Sequence, residues 1–314
     1  MTYDNLKLAE EYFKKARITD DLLHNSVIKY RESIKRFFKT TGNKSFAEFE
    51  MSDFDNFVFQ AKERRNDNSG IRSVLYALKW IMKKLQDDGV IDRRVDLEKI
   101  SMPKIKRKEV VYLTKEEIIK FFSIIEAELE KSSAIRKIRT MALYMFLLET
   151  GARISEALSI KIKDIDFENG EIPIIGKGQK PRTLFLHNKS GYWIKRYLEK
   201  RKDSNEYLFV NLTGSEKWSY NDVCRSFQRY KRLSGINKKY SIHTFRHTFA
   251  TQLLFNGVKI NEVSFLLGHE DLQTTMKYYI GTVNKAEVKK SVLDRHFDFI
   301  PKSAHENIQI RGMP

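Results

Sequence analysis

Cysteine is nearly absent from this 314-residue chain. Cys224 is the one thiol, so an internal disulfide is excluded and a reducing compartment is expected. Long apolar runs are missing as well: the longest, Met141 to Leu148, is far short of the roughly 20 residues a membrane-spanning helix needs. The opening residues, MTYDNLKLAEEYFKK, hold no apolar signal-peptide core, and there is no internal repeat or low-complexity tract. A soluble, cytoplasmic protein with no membrane partner is the expectation. Two catalytic motifs are also lacking. His243 and His247 stand four apart, as on a zinc helix, but a metalloprotease needs Glu directly after the first histidine, and Thr244 is there. The loop Gly176-Lys177-Gly178-Gln179-Lys180-Pro181 holds a lysine among glycines, yet G-x-x-x-x-G-K-[ST] does not occur and the loop joins two strand patterns.

Acidic side chains are outnumbered. Lys and Arg total 58 against 41 Asp and Glu, a net charge of +17, which points to a polyanionic partner, nucleic acid before a membrane surface. Residues 1–100 hold 20 basic and 17 acidic side chains, leaving 38 and 24 for the rest. The length allows two domains with cores of their own.

Residues 1–100 read as helices. One runs from Asn5 to Ala16 and a second from about Asn25 to Gly42 with Val27, Tyr30, Ile34, Phe37 and Phe38 inward. Shorter pieces carry Phe46, Phe49, Phe54, Phe57 and Val58. A strong helix from Ser69 to Gly89 buries Ile71, Val74, Leu75, Leu78, Ile81, Met82 and Leu85. Its other face presents Arg72, Lys79, Lys83 and Lys84, either a solvated surface or a DNA contact. Residues 101–110, SMPKIKRKEV, form a basic linker: Pro103 breaks any helix, and Lys104, Lys106, Arg107 and Lys108 could follow a phosphate backbone.

The second half opens with a capping box, Thr114 to Glu117, then a buried helix from Ile138 to Glu149 that Gly151 stops. G-A-R-I-S-E-A-L from Gly151 is a turn and a helix start, in which Arg153 and Glu156 could form a plain ion pair. Lys161 to Asp166 alternates like a strand, Asn169-Gly170 is a hairpin turn, and Glu171 to Ile175 and Arg182 to Leu186 read as strands. Helices follow over Gly191–Arg201 and Asn221–Ser234, the latter burying Val223, Phe227 and Leu233. From Ser241 to Tyr279 the chemistry concentrates. His243 and Arg246 share one face of a helix start, where N–H groups favour an anion. Phe245, Phe249, Leu253 and Leu254 make that helix's buried stripe, and Gly257 ends it. A short helix, Ile260 to Leu267, leads to Gly268 and His269, and a further helix from about Asp271 carries Tyr278. This is a phosphate pocket with a phenol beside it.

His243-x-x-Arg246-His247, then Leu267-Gly268-His269, then Tyr278 resembles the C-terminal signature of the tyrosine recombinases, the phage-integrase and Xer-type DNA strand-exchange enzymes. His269 lies 26 residues after His243, Tyr278 nine after His269, and Lys177 24 after Arg153, the Xer-type intervals. The resemblance implies a mostly α fold with a small antiparallel β-sheet in the C-terminal domain. It divides the chain into a helical core-binding domain (1–100), the linker (101–110), a catalytic domain (111–300) and a tail (301–314), closing as a C-shaped clamp on DNA. It implies a catalytic set of Arg153, Lys177, His243, Arg246, His269 and Tyr278, with Glu156 and His247 in support and no metal or other cofactor. Lys180 and Arg182, beside the lysine loop, join Arg72, Lys79, Lys83, Lys104, Lys106 and Arg107 as expected DNA contacts. The implied partners are double-stranded DNA with inverted-repeat sites and three further protomers on two sites. A helix over about 284–297 docks on a neighbour or packs back on its own domain. Tyr279 competes with Tyr278 as nucleophile. A type IB topoisomerase would use similar chemistry on one duplex, and a DNA-binding regulator with a decayed site is the other class; supercoil relaxation without recombinant product would mark the former.

Overall fold

The computed structural model of the chain describes residues 5–19, 24–42, 44–92, 95–105, 110–132, 134–176, 181–268 and 275. Two compact units, Met1–Arg107 and Lys108–Pro314, each enclose a hydrophobic core. The first half of the expected linker belongs to the N-terminal unit: Asn68 Nδ2 donates to Lys104 O at 2.8 Å and Arg72 Nη1 to Pro103 O at 3.3 Å.

The N-terminal unit contains α1 (Asn5–Thr19), α2 (His24–Thr41), α3 (Met51–Glu63) and α4 (Asn68–Asp87). The apolar stripe read on α4, from Ile71 to Leu85, is buried throughout, as the helical repeat requires. Phe37 of α2 sits among Phe38, Phe49, Phe54 and Phe57 with ring centroids 5.2–6.4 Å away. Such pairs add about 1 kcal/mol each beyond the area they bury. Val27 and Tyr30 lie against this core but are only partly buried.

The C-terminal unit begins with α5 (Lys115–Lys131), and both arms of its capping box form: Glu117 N donates to Thr114 Oγ1 at 3.3 Å and Thr114 N to Glu117 Oε2 at 2.8 Å. The centre is α6 (Ile135–Thr150), buried continuously from Ile138 to Thr150 because α5, α8 (Asn188–Lys200) and α10 (Thr244–Phe255) all pack against it. A helix covered on every side has no polar stripe. Its one buried cation, Arg139, donates to Val210 O and lies 3.7 Å from the Trp218 ring centroid. At Gly151 the chain turns left-handed (φ +63°), and a Cβ there would stand 2.4 Å from Phe249 Cδ1, so this reversal takes glycine alone. The short α7 (Ile154–Ala157) follows, and α9 (Tyr220–Ser234) and α11 (Ile260–Leu267) complete the described helices.

The described residues form one small sheet. β1 (Glu171–Ile175) and β2 (Pro181–Phe185) pair antiparallel from Glu171↔Phe185 to Ile175↔Pro181, so the molecule is mostly helical with a small antiparallel sheet, as expected. Two expectations fail. Lys161 to Asp166 is not a strand: isolated bridges to Tyr207 and Glu171 flank a 3-10 turn at Ile162–Asp164. The Asp166 carboxylate accepts from Glu168 N and Asn169 N, both at 2.9 Å, and bends the chain into the Asn169-Gly170 turn. Leu233 is 47% exposed; α9 turns Tyr230 and Ser234 inward instead. Of the helix read from Asp271 only Thr275 is described, and the helix over 284–297 and the tail lie outside the described residues.

Candidate active site

Five side chains distant in sequence meet where α6, α7, α10, α11 and β2 end or begin. Arg246, on the first turn of α10, is 3% exposed. Its Nη1 donates to Gly151 O at 2.8 Å, just past the end of α6, and its Nη2 donates to Leu267 O, the last carbonyl of α11. A planar guanidinium with diverging donors can bridge two such acceptors where an ammonium cannot. Arg153, two residues past Gly151, stands at the start of α7. Glu156 accepts from Arg153 N at 2.7 Å and from Arg153 Nη1 at 2.8 Å, so one carboxylate caps the helix and orients the guanidinium. Arg153 keeps 26% of its side chain exposed; Glu156 keeps 6%.

The second oxygen of Glu156 also accepts from Arg182 Nη2 at 2.7 Å. Arg182 Nη1 donates to Leu266 O on α11, and only 8% of the side chain is exposed. Arg182, expected among the DNA contacts, is here enclosed and bonded to protein at both ends of its guanidinium. Strand alternation explains the direction: Leu184 is buried against its partner Ile172, and Arg182, two residues away on the same face, pairs with Ile174. Burial alone would raise the Glu156 carboxyl, but the Arg182 charge and the Arg153 donors outweigh it and hold Glu156 below the usual carboxylate range. Burial likewise lowers Arg182, and Glu156 opposes the shift.

His243 occupies the N-cap position of α10, with no capping bond from its side chain. Its residue surface is open to solvent, yet the packed protein around the ring, followed by the charges of Arg246 and Arg153, depresses its pKa below the ordinary histidine value; Glu156 pulls the other way. The His247 ring meets it edge-on, centroids 4.8 Å apart at 86°. These four groups thus share one electrostatic neighbourhood: two arginines, a carboxylate and an imidazole biased towards its neutral form. Such a set can bind a phosphate and accept a proton. A cavity of about 380 Å³ near the start of α6, lined by residues including Arg136, Arg139 and Lys200, contains none of them.

Lys177, Lys180, His269, Tyr278 and Tyr279 fall outside the described residues, as do Lys106 and Arg107. In the N-terminal unit Lys83 and Lys104 are exposed, Lys79 lies 3.7 Å from Glu98, and Arg72 also donates to Tyr76 Oη at 2.6 Å. Sequence reasoning missed the acceptors that hold the arginines. The carbonyls of Gly151, Leu266 and Leu267 have no side-chain signature, though the left-handed glycines beside them do.

The phage integrase family model matches residues 111–284. The chain belongs to that family, the tyrosine recombinases. Tyrosine recombinase XerA of Pyrococcus furiosus is 35% identical to this recombinase over 227 residues, 71% of this chain and 74% of the relative. Tyrosine recombinase XerC of Leptospira interrogans is 28% identical over 294 residues, 92% of each. Among solved structures, XerH site-specific recombinase bound to palindromic difH substrate superposes with a TM-score of 0.70 at 23% identity, covering 91% of this chain and 84% of that one. The Tn1549 transposon integrase in complex with transposon right-end DNA gives 0.69 at 20% identity, covering 93% and 98%. These likenesses carry the fold, and the family makes the chain a site-specific DNA recombinase. No helix among the described residues is long and apolar enough to cross a membrane.

Proposed function

We propose that this recombinase cuts and rejoins duplex DNA at inverted-repeat sites through a covalent 3′-phosphotyrosyl intermediate. Four protomers on two sites would exchange strands by way of a Holliday junction. The observation that carries the reading is the gathering of Arg246, Arg153 and Glu156 about His243, with Glu156 bonded to Arg153 and Arg246 bonded to Gly151 O two residues before Arg153. Two guanidiniums match the non-bridging oxygens of one phosphate and stabilise the charge that grows in the transition state; one such donor can contribute ~3 kcal/mol.

In the proposed step Tyr278 Oη bonds to phosphorus and the bond from phosphorus to the 5′-oxygen breaks. His243 takes the phenol proton, Lys177 gives one to the departing 5′-oxygen, and His269 hydrogen-bonds the phosphate. The 5′-hydroxyl of the partner strand then attacks the phosphotyrosine and releases the enzyme. A phenol of pKa ~10 needs a neutral base at physiological pH, and the depressed pKa of His243 suits it to that part. The charge is supplied by arginines and a lysine, so the scheme calls for no metal. Lys83, Lys104, Lys106 and Arg107 of the N-terminal unit are assigned to the duplex backbone.

A nicked suicide duplex carrying the core site tests this. The 5′-hydroxyl diffuses away after cleavage, and a covalent protein–DNA adduct is expected with the wild type and with Tyr279→Phe but not with Tyr278→Phe. An adduct persisting in Tyr278→Phe would move the nucleophile to Tyr279. Supercoil relaxation without any recombinant product would instead favour topoisomerase chemistry.

A further inference from the structure

We propose that Arg182 is a positioning residue for cleavage: it shares the charge of Glu156, so that Arg153 keeps a net positive field towards the scissile phosphate. The inference rests on the recombination reading above and adds a residue to it.

Three charges lie in one line of contacts. Glu156 receives Arg153 on one side, at 2.8 Å, and Arg182 on the other, at 2.7 Å. Two cations and one anion sum to +1. Without Arg182 the remaining pair sums to zero, and the guanidinium meant for phosphate would be neutralised by its own brace. The position argues against two simpler readings. Against a DNA contact, Arg182 gives one Nη to the Glu156 carboxylate and the other to Leu266 O, so its charge is already met by an anion, whereas Arg246 holds two neutral carbonyls. Apolar packing alone is a poor reason for the residue, because a buried ion pair usually stabilises no better than well-packed hydrophobic side chains. A leucine or valine beside Leu184 on this face would serve a core.

Arg182 also reaches the end of α11. Arg182 takes Leu266 O and Arg246 takes Leu267 O, so two cations sit on the carbonyl end of that helix, where its dipole favours them. Gly268 closes the arrangement: it is left-handed (φ +62°), and a Cβ would lie 2.7 Å from Arg182 Cδ. One side chain therefore ties β2 to the α7 start and to the α11 end.

The test compares site binding with the single-turnover rate of adduct formation on the suicide duplex. Arg182→Met is expected to slow adduct formation at least tenfold while Kd for the site stays within threefold. Arg182→Lys, which keeps the charge, should remain within about fivefold of wild type, and it carries the test if the methionine variant does not fold. The deciding variant is Arg182→Met with Glu156→Gln: removing the carboxylate charge restores +1, and adduct formation should recover at least fivefold over Arg182→Met alone. A double variant as slow as the single one would overturn the charge-sharing role, and so would unchanged cleavage in Arg182→Met. Loss of binding in step with cleavage would return Arg182 to the DNA contacts. A wild-type protein that forms no adduct would instead overturn the recombination reading, and this inference with it.

Discussion

His243 joins two conditions that seldom coincide, solvent access and a depressed pKa. Access comes from its place at the very start of α10; the depression comes first from the protein packed around the ring and then from Arg246 and Arg153. Since the folded pKa lies below the ordinary 6.5, the unfolded chain binds the proton more readily. The stability linked to this group is thus present above pH 6.5 and is lost as pH falls through the folded value. In an NMR titration of the free protein the ring should show a midpoint below 6.5, moving upward in Arg153→Gln as one repelling charge disappears. A midpoint above 6.5 would contradict the account. At the same scale, the motif residues stood out in the sequence because reactive side chains are rare and their intervals are specific, and of these Arg153, His243 and Arg246 fall within the described residues. The inward direction of Arg182 was missed because its basic character was weighed and the two-residue alternation with Leu184 was not.

Among the elements, the ends of α5 and α6 fix the C-terminal unit. Gly151→Ala sets a Cβ against the Phe249 ring in a left-handed backbone; strain and overpacking together should cost roughly 3 kcal/mol. Urea unfolding should show a lower midpoint with an unchanged slope. Gly151 O also receives Arg246, so cleavage should fall further than stability does. Thr114→Ala removes one arm of the α5 capping box and should cost about 1 kcal/mol. Glu117→Ala should cost more, since that carboxylate also receives Lys238 Nζ at 2.7 Å. A Thr114→Ala protein as stable as wild type would mean that the cap's donor finds another partner. Helices with one apolar stripe, such as α4, were legible almost to the residue. Lys161 to Asp166 was not, because alternation over six residues says nothing about whether a partner strand lies alongside, and local hydrogen bonds to Asp166 decided the shape.

At the scale of the whole molecule, charge and not shape is what the sequence carries. Two cores could be read from two runs of apolar periodicity, and the excess of base over acid falls mainly after residue 100. Burial then sorts the cations that total charge counts together: Lys83 and Lys104 are exposed, whereas Arg182 and Arg246 are enclosed and hold protein groups. Exposed cations are the ones placed to displace counterions along the duplex. A grip on the duplex from both units, with six or more phosphates, should weaken site binding about a thousandfold between 50 and 200 mM salt. Lys83→Ala and Lys104→Ala should each lower the slope of log Kd against log salt by about 1 while affecting all sequences equally. Arg182→Met should leave that slope where it is. An unchanged slope in Lys83→Ala would take the outer face of α4 off the phosphate backbone, and a changed slope in Arg182→Met would mean that the buried guanidinium turns outward when DNA arrives.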